Sequence, residues 1–244
     1  MPQIHLVMPM AGRGSRFANM NFLQPKPLIS IYNKPFFYWS IQSIYKFINI
    51  SSLDIIVLEE HVRNYSIDKE ILEYYPNARV HIIDKVTEGA VVTALHGISK
   101  IDDKYPIIFN DCDHLFKSEK LNEFCKISSD LDGLLITFKS SENKYSYAAV
   151  NADGYVVKTA EKIVISNLAI CGCYYFKNAD IFKKMASIYL ENCQYNEFFM
   201  SGIYNTMLEN EMKVKTMPTD FHVPFGTPDE YMAAQADEHY KGLI

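Results

Sequence analysis

No surplus of positive charge, no apolar run of membrane-spanning length and no cysteine framework mark this 244-residue sequence. Each absence removes a class of function. With a formal net charge of -5 there is no basic stripe to displace counterions from a nucleic-acid backbone, so nucleic acid is not an expected partner. No stretch reaches the ~20 apolar residues that a transmembrane helix needs. The apolar start, Met1 to Met10, is too short for a secretory leader and runs straight into a glycine loop. The expectation is a cytoplasmic protein without membrane association. The five cysteines are odd in number and scattered. Only Cys171 and Cys173 lie close together, and buried reduced thiols in a strand fit that Ile-Cys-Gly-Cys-Tyr run better than a metal site. Linkers, repeats and low-complexity segments are also missing, which points to one domain over residues 1–244.

What is present is core-forming material, at 48% hydrophobic and 14% aromatic residues. In the first half, short apolar runs alternate with amphipathic stretches, the sequence form of βαβ units and a mainly parallel sheet. Strands are expected at Ile4 to Met8, Leu53 to Leu58, Arg79 to Ile83 and Pro106 to Phe109. Helices are expected near Pro35 to Phe47, Asn64 to Tyr74 and Gly89 to Ser99. The second half reads as richer in strands: Gly133 to Phe138, Tyr147 to Asn151, Val156 to Thr159 and Leu168 to Phe176, with an Asp153-Gly154 turn joining the middle pair. Helices near Ala179 to Leu190 and Phe199 to Leu208, a strand at Lys213 to Met217 and a helix from about Thr227 complete the reading. In an open α/β sheet, ligands bind beyond the carboxyl ends of the strands. The loops there are the place to look for chemistry.

The first such loop is Met8-Pro9-Met10-Ala11-Gly12-Arg13-Gly14-Ser15-Arg16-Phe17. Its glycines would let backbone amides approach a polyphosphate. No Gly-Lys-Ser/Thr follows, so it is not a Walker A loop, and Phe17 stands where a dinucleotide fingerprint has its third glycine. Alone, two glycines after a strand often mean only a tight turn. Arg16 and Lys26 add positive charge, the lysine within Pro25-Lys26-Pro27, where two prolines stiffen its backbone. The second loop, Asn110-Asp111-Cys112-Asp113-His114, ends an apolar strand in two carboxylates. Such oxygen ligands suit Mg2+, although the same cluster is also ordinary turn chemistry. His114 is given no role.

Ala-Gly-x-Gly-Ser-Arg followed by Pro-Lys-Pro-Leu resembles the opening of the sugar-phosphate nucleotidyltransferase family. The resemblance continues in order through Thr87-Glu88-Gly89, Asp111, Glu161-Lys162, Tyr195-Asn196-Glu197 and Gly226-Thr227-Pro228-Asp229-Glu230. It implies a GT-A-like α/β three-layer sandwich with a mixed, mostly parallel sheet. A nucleotide-binding half would span about 1–115 and an acceptor-binding half about 116–244. It implies catalytic roles for Arg16, Lys26 and Asp111, and a nucleotide site of Met10, Ala11, Gly12, Arg13, Gly14, Ser15, Arg16, Glu88, Gly89, Thr93 and Asn110. Acceptor contacts would come from Lys26, Tyr147, Glu161, Lys162 and Glu197, and Mg2+ would be held by Asp111 and Asp113. One position departs from the pattern: Pro224 stands where many members carry a second metal-binding Asp, so either another acid such as Asp220 or Asp113 completes the shell or the ion relies more on phosphates and water.

The implied activity is transfer of a nucleoside monophosphate from an NTP to a small phosphorylated acceptor with release of pyrophosphate. The opening, the Asn-Asp-Cys-Asp loop and the Glu-Lys-x-x-Ile-Ser run look most like enzymes of capsule and surface-polysaccharide clusters, with CTP favoured. The acceptor would be phosphoglutamine-like or a sugar 1-phosphate, and a homodimer is compatible with the sequence. Two rivals keep the fold: a GT-A glycosyltransferase, which would need only the Asp-x-Asp pair, and a non-catalytic nucleotide-sensing subunit.

Overall fold

Side-chain alternation across extended backbone decides where the layers lie. The computed structural model describes residues 3–99, 101–127 and 129–242. The first half runs β1 (Ile4–Pro9), α1 (Ser15–Ala18), β2 (Ser30–Ile31), β3 (Lys34–Pro35), α2 (Phe36–Tyr45), β4 (Ile50–Leu58), α3 (Glu59–Tyr65), α4 (Ile67–Tyr74), β5 (Arg79–Ile83), α5 (Ala90–Gly97) and β6 (Ile107–Asn110). The second half runs β7 (His114–Lys117), α6 (Glu119–Phe124), β8 (Gly133–Lys139), β9 (Ser146–Val150), β10 (Val156–Glu161), β11 (Leu168–Phe176), α7 (Ala179–Asn192), α8 (Met200–Glu209), β12 (Val214–Pro218), β13 (Phe221–Pro224) and α9 (Pro228–Ala234). Among the described residues no helix is long and apolar enough to cross a membrane.

β5, β4, β1 and β6 pair in parallel, in that order. β11 joins β6 antiparallel and carries β8 on its other edge, and β12 runs parallel to β8. The β9–β10 hairpin docks on β11 through Ala169 and Tyr147. On one face of this mixed sheet, Leu6, Met8, Ile55 and Val57 pack with Phe37 and Ile41 of α2 and Ile67 and Ile71 of α4. On the other, Val7, Ile56, Phe109 and Phe176 pack with Val91 and Ala94 of α5, Phe182 of α7 and Ile203 of α8. The three-layer α/β architecture is therefore present.

A third cluster lies at the end of the sheet where the loops gather. Phe17, Phe36, Trp39, Leu115, Val223, Phe225 and Tyr240 are all buried there. It joins the glycine loop, α2, the C-terminal segment and a two-stranded ribbon of β7 and β13. The ribbon escapes sequence reading because its four-residue strands pair across about a hundred positions of chain and bury three successive residues, His114, Leu115 and Phe116. The expected helix over Asn64 to Tyr74 is instead two helices, α3 and α4. It begins earlier, directly after β4, and breaks at Ser66, which takes a left-handed conformation at φ 52°.

One charge lies inside the sheet well away from those loops. Asp54 of β4 is fully buried and receives Nε and Nη2 of Arg79 at 2.7 and 2.6 Å, Nε2 of His81 at 2.8 Å and Oγ of Ser52 at 3.0 Å. Burial pushes its pKa up, but the hydrogen bonds from His81 and Arg79 outweigh that and hold it below the ordinary carboxylate value. Because the folded-state pKa is depressed, the stabilisation is complete above the unfolded value and lost as pH falls through the folded one. Asp54→Ala is expected to cost about 2–3 kcal/mol at neutral pH, since it strands Arg79 and His81 without their partner. Urea melts followed by the fluorescence of the single tryptophan, Trp39, check this, and the gap should narrow as pH falls below the ordinary carboxylate value.

Candidate functional site

The loops after β1 and β6 meet at the carboxyl ends of the parallel strands, as the open-sheet rule requires. They open into a cleft of about 400 Å³ whose walls include Arg16, Lys26, Asp111, Asp113, Glu161 and Lys162. Phe17 holds the glycine loop in place, edge-on to Phe22 at 5.2 Å and Phe36 at 5.8 Å. That explains an aromatic at the position of an absent third glycine: it is the anchor that ties α1 to the core. Lys26 opens a 3-10 turn, with Pro27 and Leu28 buried beneath it.

At the centre of the cleft, Lys26 Nζ donates to Asp113 Oδ2 at 2.9 Å, each side chain about a quarter exposed. Burial lowers the pKa of Lys26, but Asp113 and Asp111 more than compensate and leave it above the ordinary lysine value. Burial likewise raises Asp113, and Lys26 overcomes it, so Asp113 stays below the carboxylate norm. Asp111 has no such partner: among the described residues no side chain donates to it. Burial, then the negative charge of Asp113, push its pKa up to about 7 despite Lys26.

Three glycines make room for these three charges. A Cβ on Gly14, at φ 60°, would stand 2.9 Å from Lys26 Cβ. One on Gly172, at φ 95°, would stand 2.7 Å from Asp111 Oδ2, and one on Gly226 would stand 2.5 Å from Asp113 Oδ2. Gly172 also accepts Asp111 N–H at 2.9 Å, at the point where the pairing of β11 with β8 shifts register. Each charged group is thus seated against backbone, where any larger residue would displace it.

The far wall carries the acceptor-side candidates. Glu161 Oε2 accepts from Ser146 and, at 3.0 Å, from Ser201. Lys162 sits at φ 55°, donates its N–H to Tyr145 O and holds its ammonium 4.9 Å from the Phe199 ring centroid. Glu197 also lines the cleft. Lys144 and Tyr145, which the sequence reading did not single out, close this end together with Thr227 and Glu230 of the Gly-Thr-Pro-acidic motif. Glu230 accepts from Tyr145 Oη at 2.6 Å and lies 2.9 Å from Lys144 Nζ, and it completes a capping box with Thr227 at the start of α9. The Thr-x-x-Glu signature in the Gly-Thr-Pro-Asp-Glu motif was the available signal for Glu230.

Several expected contacts lie elsewhere. Asn110 is fully buried against α2 and outside the cleft lining, donating to Ser40 O at 3.0 Å and accepting from His114 Nε2 at 3.1 Å. Tyr147 is buried too, its hydroxyl on Glu142 O at 2.7 Å, and the cleft instead receives its neighbours Tyr145 and Ser146. Thr93 of α5 is hydrogen-bonded to Thr87 Oγ1 in the preceding loop at 2.6 Å, and Met10 and Ala11 belong to the core. Gly12, Arg13 and Glu88 are exposed and outside the cleft lining, and the space beside Gly89 is filled by the backbone of Phe198. Asp220 is not at the site: its carboxylate caps α6 at Glu119 N, 2.9 Å away. Pro224 faces His114 across the ribbon and lines the cleft with no ligand to offer. Burial holds the His114 pKa down to about 4, so the imidazole is neutral.

The model of the nucleotidyl transferase family matches residues 6–241. The chain belongs to that family. Solved relatives share the fold at low identity. A nucleoside-diphosphate-sugar pyrophosphorylase from Vibrio cholerae RC9 superposes with a TM-score of 0.80 at 21% identity, over 95% of this chain and 100% of that one. The inositol-1-phosphate CTP transferase of T. maritima gives 0.77 at 15% identity, over 96% and 95%. A UDP-glucose pyrophosphorylase complexed with UDP-glucose gives 0.75 at 17%, over the full length of both. No curated protein matches the chain in sequence.

The elevated pKa of Asp111 makes a signed prediction. Between the unfolded carboxylate value and about 7 the folded state holds the extra proton, so stability falls as pH rises through that window. In metal-free buffer at pH 8, Asp111→Asn is expected to be more stable than the parent by on the order of 1 kcal/mol. Thermal melts across pH check this, and the two proteins should converge below about pH 4.

Proposed function

We propose that the protein transfers a nucleoside monophosphate from an NTP to a small phosphorylated acceptor and releases pyrophosphate. The observation that carries the reading is the convergence of Arg16, Lys26 and Asp111 on one cleft, beneath a glycine loop and opposite Glu161 and Lys162. In this reading an acceptor phosphate oxygen attacks the α-phosphorus in line, the new O–P bond forms, and the bond to the bridging oxygen of pyrophosphate breaks. The nucleophile is already ionised at neutral pH, so no general base is required and catalysis rests on positioning and charge neutralisation. Arg16 and Lys26 would stabilise the charge that develops on the phosphates.

The residues fit a divalent cation. Asp111 is a carboxylate without a side-chain donor, seated in the space that Gly172 leaves. Among the described residues no cluster of three or more His, Cys, Asp or Glu side chains could hold a metal alone, so substrate phosphates and water would complete the shell. Mg2+ supplies charge neutralisation at the phosphates when bound. Asp113 is already paired with Lys26, which makes Asp111 the principal ligand and Asp113 the group that fixes the lysine.

For the donor we favour CTP, the nucleotide in the name of the T. maritima relative. The acceptor side presents both signs of charge, Glu161 and Glu197 with Lys144 and Lys162, which supports an acceptor carrying both, such as a phosphoglutamine-like amino acid. A sugar 1-phosphate is the second reading, favoured by the sugar-nucleotide pyrophosphorylases of the same fold. The setting we infer is cytoplasmic synthesis of capsule or surface-polysaccharide precursors.

Pyrophosphate release in the presence of Mg2+ tests the reading, with five NTPs screened against sugar phosphates and phosphorylated amino acids and polyols. One NTP and one acceptor should be required together. With that pair, Lys26→Met is expected to lower kcat by roughly 10²–10³. Nucleotide binding without turnover on any acceptor would point to a sensing subunit instead.

A further inference from the structure

Glu161 and Lys162 are consecutive in sequence, yet their charged ends are held by a single short segment elsewhere in the chain. Ser201 and Phe199 lie two residues apart where α8 begins: Ser201 in its first turn, Phe199 at its N-cap. Ser201 Oγ donates to Glu161 Oε2 at 3.0 Å, beside the hydroxyl of Ser146 on the same oxygen. The Phe199 ring lies 4.9 Å from Lys162 Nζ. Ser201 is itself buried, and its carbonyl accepts Thr159 Oγ1 at 2.8 Å, so β10 and α8 are tied on both sides of Glu161. Lys162 needs such restraint, because a lysine at φ 55° is in a sparsely populated conformation that persists only when its surroundings impose it.

We infer that Phe199 and Ser201 are positioning residues for acceptor recognition, an inference that rests on the nucleotidyltransferase reading. With Oε2 occupied by two hydroxyls, the oxygen left to Glu161 is Oε1. An ionised carboxylate only accepts, so Oε1 selects an acceptor that brings a hydroxyl or ammonium donor. The Lys162 ammonium, steadied by the aromatic face, meets an anionic group of the same molecule. The Phe199 segment is also anchored through its backbone: Phe198 N donates to Glu88 O at 3.0 Å and Val91 N donates to Phe198 O at 3.1 Å. These backbone bonds tie the segment ahead of α8 to the start of α5 and do not involve the side chains of Phe199 and Ser201.

Two measurements on the full-length protein test the inference. The first needs no turnover. After reductive 13C-methylation of the lysines, the Lys162 methyl resonance, assigned with Lys162→Arg, should be displaced upfield by the ring current of Phe199, and Phe199→Leu should abolish the displacement. An undisplaced resonance overturns the placement. The second uses the NTP and acceptor found by the pyrophosphate screen. Phe199→Leu and Ser201→Ala should each raise KM for the acceptor about tenfold, with kcat falling less than threefold and KM for the NTP unchanged, and Phe199→Tyr and Ser201→Thr should restore most of the loss. Transfer with an unchanged acceptor KM in both variants overturns the positioning role alone, as does a parallel rise in both KM values. No transfer by the unmodified protein with any acceptor overturns the parent reading, and the acceptor subsite with it.

Discussion

The ion pair between Lys26 and Asp113 is the constraint around which the site is arranged. It joins the turn after the glycine loop to the loop after β6, 87 residues later, and so fixes the distance between the two strand ends that define the cleft. A pair this close, only a quarter exposed, is costly to break from one side, because the partner left behind would be a poorly solvated charge. Its second effect falls on Asp111. Since Asp113 is satisfied by Lys26, Asp111 is left as the one carboxylate of the loop that faces the cleft without a donor, under the repulsion of a neighbour that stays ionised.

The packing around this pair serves to keep it in register. Phe17, Phe36, Phe225 and Tyr231 contact one another at ring-centroid distances of 4.5 to 6.3 Å, and together they hold α1, α2, the end of β13 and α9 against each other. Gly14, Gly172 and Gly226 then let the charged groups sit directly against backbone. The arrangement places rigidity where charge must be held and accepts backbone conformations open mainly to glycine to achieve it.

Much of this was legible in the residues, for identifiable reasons. The glycine loop, Pro25-Lys26-Pro27, the acids after β6 and Glu161-Lys162 are contiguous motifs, so their local chemistry survives without knowledge of the fold. The placement differs from expectation where neighbours in a motif point to different faces. Strand alternation turns Asn110 away from the cleft that Asp111 enters, and it sends Tyr147 into the core while Ser146 faces Glu161. The contacts of Tyr145 and Ser201 were out of reach because their partners lie far along the chain, Glu230 85 residues from Tyr145 and Glu161 40 residues from Ser201; the capping signature of Glu230 was legible, its bond to Tyr145 was not. The β7–β13 ribbon was hidden for the same reason.

The proposed function turns on Asp111, whose carboxylate has no side-chain donor among the described residues while Lys26 pairs with Asp113, and which we propose receives a divalent cation that arrives with the nucleotide. An electron paramagnetic resonance titration with Mn2+ addresses it directly, comparing the parent with Asp111→Asn, each with and without NTP. The account predicts tight Mn2+ binding by the parent only when NTP is present, and at least a tenfold loss of affinity, about 1.4 kcal/mol, in the variant. Equal Mn2+ affinity in the two proteins would contradict it.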